Sequence, residues 1–148
     1  MTEENQSSPV RHLDSEDIRL LHTALAEWSL QHGDEPVPPI TPTAARAIEA
    51  LAWIPKQQFE GKELYPSIEE KAAILFYSIN KQQIFTNGNK RMSTLCLLVF
   101  LTINDRRLTV TDDELTAKAL SLAQTSSMEF PRIKEELTGW IRDHLQNT

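Results

Sequence analysis

The sequence predicts an all-α fold, and three observations carry that prediction. Composition comes first: 18 leucines, 11 isoleucines and 12 alanines stand against only four valines and four glycines, a bias towards helix rather than sheet. The second is periodicity, since apolar residues recur at steps of three and four along most of the chain. The third is a repeated helix-start signal, a Ser, Thr or Asp followed three residues later by an acid. At 148 residues the chain is long enough for one domain, read as residues 10–148 behind a flexible leader over residues 1–9.

Asp14 with Asp17 opens a first helix, with Ile18, Leu21, Leu25 and Trp28 at helical spacing and Gly33 just past its end. Residues 35–42 hold four prolines and read as an extended connector. Residues 43–52 form a short Ala-rich helix with Ala44, Ala47, Ile48 and Leu51 inward, which Pro55 ends. Gly61, between segments ending in Phe59 and Tyr65, suggests a small β-hairpin or flap. Ser67 and Glu70 cap a third helix that ends near Lys81. From Asn89 to Ile103 the chain is apolar on nearly every side, as expected of a buried central helix. Residues 108–110 suggest an edge strand, Thr111 and Glu114 cap a helix to Ala123, and residues 128–145 read as an amphipathic last helix.

Charge and hydropathy exclude several classes of function. The net charge of −6 argues on electrostatic grounds against a general nucleic-acid binder. The longest apolar run, Leu95 to Leu101, is far too short to span a membrane. Residues 1–9 lack the apolar core of a signal peptide, and the single cysteine, Cys96, lies within the apolar run, so a reducing cytoplasm is expected.

Chemistry is concentrated in residues 83–91, Gln-Ile-Phe-Thr-Asn-Gly-Asn-Lys-Arg. Gly88 sits where the chain turns into a helix whose first amides have no internal partners. Two cations in succession, Lys90 and Arg91, are unusual at the positive end of a helix dipole and suggest that an anion is expected there. Residues 81–107 carry a net +4 within an acidic chain. These residues alone admit two readings: a phosphate cradle, or a plain helix start capped by Asn87 or Asn89 with solvated cations.

The string resembles the signature of the Fic/Doc (Fido) family: His, any residue, Phe, any residue, Asp or Glu, Gly or Ala, Asn, Lys or Gly, Arg. Phe85, Gly88, Asn89, Lys90, Arg91 and the long apolar helix after them match it. The likeness extends to Arg11-His12-Leu13, to Leu64-Tyr65-Pro66 and to the helix with Ala72-Ala73. The resemblance implies a compact helical bundle with a β-hairpin flap, and transfer of AMP or phosphate from ATP or another nucleotide to a protein hydroxyl. It implies a His as general base, an acid holding Mg2+, a phosphate cradle at Gly88, Asn89, Lys90 and Arg91, and a flap around Leu64 and Tyr65 that holds the target. Here the base position is Gln83 and the metal position Asn87. An amide cannot take a proton near neutrality, and its oxygen is a weaker Mg2+ ligand than a carboxylate. The resemblance therefore implies weak, altered or absent activity, or else a nucleotide- or partner-binding pseudoenzyme. Lys90 and Thr94 resemble the Doc-like, toxin branch, which implies an antitoxin-like partner. No self-inhibitory Ser/Thr-x-x-x-Glu-Gly/Asn string is present.

The remaining candidates read as structural. His12, His22, His32 and His144 lack metal-ligand spacing, and the first two flank what reads as a surface helix. Asp112-Asp113-Glu114 is a helix-start cluster, Cys96 a core thiol, and Trp28, Trp53 and Trp140 core or groove aromatics. Tyr65 either packs in the core or faces a substrate.

Overall fold

The computed structural model describes residues 9–148. Of the leader read over residues 1–9, all but Pro9 lies outside the described residues. Helix α1 (Ser15–Gln31) begins at a capping box in which Asp14 and Asp17 accept each other's backbone N–H. The proline-rich connector then leads to α2 (Pro42–Trp53), capped by the Thr41 hydroxyl, and to a 3-10 turn at Ile54–Lys56. Strands β1 (Gln58–Phe59) and β2 (Lys62–Glu63) pair antiparallel in the register Gln58 with Glu63 and Phe59 with Lys62. Glu60 and Gly61 both take positive φ at the turn, as the twist of a two-residue hairpin loop demands.

Helix α3 (Ile68–Gln82) starts at the Ser67/Glu70 capping box, and α4 (Asn89–Ile103) follows the candidate site loop. These two helices form the centre. Phe76 and Ile79 of α3 are buried with Met92, Leu97, Phe100 and Leu101 of α4. Each such side chain contributes about 1.5–3 kcal/mol when fully withdrawn from water. Helix α5 (Asp112–Ala123) packs on α3 and α4, with Asn80 Nδ2 donating to the Ala119 carbonyl across the seam. Helix α6 (Phe130–Asp143) covers the other side of α3. The fold is all-α, six α-helices with two small two-stranded sheets among the described residues.

Three expectations need correction. The edge strand is β3 (Arg106–Leu108), two residues earlier than residues 108–110, and it pairs with β4 (Leu145–Asn147). The last helix is shorter than residues 128–145: a 3-10 turn at Ser127–Glu129 precedes it, and Leu145 leaves it to complete the sheet. Helix α4 is central but not buried all round, since Leu98 is 37% exposed and Leu95 only partly covered. Among the described residues no helix is long and apolar enough to cross a membrane.

Candidate functional site

The site loop joins α3 to α4, and both of its ends are in left-handed backbone. Gln83 ends α3 at φ 54°, exposed to solvent, and Gly88 opens α4 at φ 86°. Gly88 suits that geometry because it has no Cβ. A Cβ there would also lie 3.5 Å from Val37 and 3.6 Å from an Arg91 guanidinium nitrogen.

Neither Asn87 nor Asn89 caps α4, contrary to the plain helix-start reading. Asn89 turns back instead, its Oδ1 accepting the Phe85 N–H at 3.0 Å and its Nδ2 donating to the Phe85 carbonyl at 2.8 Å. This pair closes the loop on itself. Asn87 Oδ1 accepts the Gly88 N–H at 2.8 Å, and its Nδ2 donates to the Pro36 carbonyl at 3.1 Å in the connector. The first helical bond of α4 runs from the Met92 N–H to the Gly88 carbonyl at 2.8 Å. The amides of Asn89, Lys90 and Arg91 therefore have no acceptor among the described residues.

Cations flank those amides. Lys90 is exposed, and Arg91 Nη1 donates to the Ser29 hydroxyl of α1 at 3.0 Å. Among the described residues neither has an acidic partner within 4 Å. Arg91 stands between two openings. On one side lies an apolar groove of about 500 Å³ lined by Leu25, Trp28, Thr94, Leu95 and Leu98, with Asp34 at its edge. On the other, Lys90, Thr94, Thr116 and Leu120 line a smaller one of about 180 Å³.

A profile of the Fic/DOC family matches residues 12–101, more than half of the chain, and spans every residue of this loop. The chain belongs to the Fic/DOC family. No curated protein matches it significantly. The site loop carries two cations, Lys90 and Arg91, and three amides without acceptors among the described residues. Asn87 already uses both ends of its amide, residues 83–91 contain no carboxylate, and no metal-ligating group of three forms among the described residues. A divalent cation would meet Lys90, Arg91 and the positive end of α4 with no anionic side chain in residues 83–91 to offset them. The residues present do not fit Mg2+.

The four histidines differ in their surroundings. His22 is buried, not on a surface face as expected, and stacks on Phe85 with ring centroids 4.8 Å apart. Burial lowers its pKa. His12 lies against Phe100 of α4, ring centroids 6.1 Å apart, with its Nδ1 buried and unpartnered among the described residues, and burial lowers its pKa with help from the charges of Lys56 and Lys71. Phe100 is twelve residues beyond Gly88 along α4, about 18 Å of helix, so His12 stands far from the start of α4. His32 and His144 bond carbonyls within their own helices, at Trp28 and Trp140.

The flap sits at the other end of α3. Leu64 is 45% exposed and continues the hairpin by donating to the Gln57 carbonyl at 3.0 Å. Tyr65 is half-buried: its carbonyl accepts from Lys71, and Lys134 of α6 lies 5.5 Å over its ring. Cys96 is a core thiol, its pKa pushed up to about 12 by burial. Trp28 lines the apolar groove, whereas Trp53 is largely exposed with Lys56 over its ring.

Sequence reasoning missed Ser29, His22 and Pro36, which hold the loop from α1 and the connector. Ile18, His22, Leu25 and Ser29 share one helical face at steps of four, three and four, a signal hidden because two of the four are polar.

Proposed function

We propose that this Fic/DOC protein binds the phosphates of a nucleotide at Gly88, Asn89, Lys90 and Arg91 and transfers AMP or phosphate to a protein hydroxyl only very slowly, or not at all. The observation that carries the reading is the start of α4, where three unaccepted amides and two cations without acidic partners converge on one helix terminus. A phosphate bound there would meet charge-assisted bonds worth about 1.5–3 kcal/mol each.

Transfer would break the bond between phosphorus and its leaving phosphate as the target hydroxyl oxygen attacks. That oxygen must also lose a proton. Gln83 Oε1 can accept a hydrogen bond from the hydroxyl but cannot keep the proton. A positioned base contributes about 10²–10⁴-fold, and that share is missing here. Positioning by the cradle supplies most of the acceleration in phosphoryl transfer, which leaves room for residual turnover.

A second reading, a binding-only regulator of the same fold, is favoured by the fastening of Asn87 to the connector. Membership of the Doc-like toxin branch, with an antitoxin-like partner and a cytoplasmic setting, rests on Lys90 and Thr94 and is part of the same proposal. Calorimetry with ATP, ADP and AMP tests the phosphate half. Heat of binding with at least one of them, lost in Arg91→Ala, is expected. No heat with any of the three contradicts it.

A further inference from the structure

We infer that Asn87 is a fastener between the site loop and the proline connector, so that this chain holds phosphate with no divalent cation at that position. The first half stands on the ligand-free geometry, and the second rests on the phosphate reading above. The two bonds of Asn87 differ in sign: Oδ1 accepts from the Gly88 N–H at 2.8 Å, and Nδ2 donates to the Pro36 carbonyl at 3.1 Å. Reversing the amide would set oxygen against the Pro36 oxygen and NH₂ against the Gly88 N–H. The partners therefore fix its orientation.

Only an amide satisfies both at this length. A carboxylate could still accept from Gly88 but would face the Pro36 carbonyl with a negative charge and no proton to donate. The residue that would make a metal ligand is the one that would release the connector. Pro36 lies 51 residues from Asn87, so its carbonyl is held here by a contact that local structure does not supply. The connector matters to the site because Val37 is buried beneath Gly88, 3.5 Å from where a Cβ would stand. Asn89 and Arg91 fasten the same loop at Phe85 and Ser29. Asn87 supplies the link to the connector, and it supplies it with a neutral group, leaving the charges of Lys90 and Arg91 for an anion.

Two variants and one titration test this. In Asn87→Asp the 15N order parameters of Val37 and Ile40 should fall from about 0.85 towards 0.6, while exchange of the Gly88 amide stays slow. In Asn87→Ala both should change, with Gly88 exchange rising about fivefold for the loss of one net hydrogen bond. Connector order parameters unchanged in both variants overturn the fastener. For the wild type, the ATP affinity should agree within about twofold in magnesium and in EDTA. At least tenfold tighter binding in magnesium overturns the cation-free site. No ATP binding in either condition contradicts the phosphate reading instead, and the order parameters then decide the fastener by themselves.

Discussion

The two ends of α3 hold positive charge in opposite ways. At its N-terminal end Lys71 is 1% exposed, yet its ammonium meets Glu63 Oε1 at 2.7 Å and the Tyr65 carbonyl, so the charge is consumed in anchoring the flap. At its C-terminal end the loop is fastened by neutral side chains, Asn87, Asn89 and Ser29, and Lys90 and Arg91 keep no acidic partner among the described residues. A buried charge must be paired in the folded state, whereas an exposed one can await a ligand. Paired charge is structure, and unpaired charge gathered at a helix start is available for binding. The difference separates two lysines that composition treats alike.

Breaking either end should show this separation. Arg91→Ala is expected to weaken nucleotide binding by about 1.5–3 kcal/mol, at least tenfold, with a smaller loss of about 1 kcal/mol in unfolding free energy from the broken bond to Ser29. Calorimetry beside urea unfolding reads both. A variant that unfolds easily but binds normally would reverse the assignment. Glu63→Ala should do the converse, costing about 2 kcal/mol of stability because the Lys71 ammonium stays buried with only a carbonyl partner. That figure is below the usual cost of breaking a buried pair because Glu63 is half exposed to screening water. Lys71→Met, which removes the charge with its partner need, should cost less, and nucleotide binding should survive both substitutions.

Gly88→Ala sharpens the contrast from the other side. Its φ of 86° makes any Cβ cost about 1–2 kcal/mol, so stability and binding should fall together. The smallest effect is pH dependence beneath the loop. Burial depresses the pKa of His22 in the folded state, so below about pH 6.5 the unfolded chain takes up a proton that the fold resists. Stability is then full above that pH and declines as pH falls through it. His12 adds to the same slope. The melting temperature should drop between pH 7.5 and 5.5, and His22→Gln should flatten the drop. An equally steep profile in that variant would place the titration elsewhere.

How much of this was legible follows the range of each contact. Helix starts were legible because Asp14 with Asp17, Ser67 with Glu70 and Thr111 with Glu114 reach only three residues. The hairpin was legible from Gly61 and its aromatic flanks. Strand β4 was not, since Leu145-Gln-Asn has no strand character of its own and pairs with β3 across 39 residues, as Arg107 does with Gln146. The exposed side of α4 was hidden for a related reason: apolarity alone cannot distinguish a core face from the wall of a groove. In the site loop the Gly-Asn-Lys-Arg string was legible, whereas the bonds that shape the loop were not. Asn87 to Pro36 and Arg91 to Ser29 span 51 and 62 residues, and the polar face of α1 receives Phe85 and Arg91 where periodicity favoured Leu21 and Trp28.

The function proposed for this loop is phosphate binding without a base at Gln83. Transfer of label from α- and γ-labelled ATP into lysate proteins, by the wild type and by Gln83→His at equal nucleotide occupancy, tests it most directly. Faint or no labelling by the wild type and at least a tenfold gain in the variant, the lower part of the range a positioned base supplies, are expected. Vigorous labelling by the wild type, unchanged by Gln83→His, would contradict it.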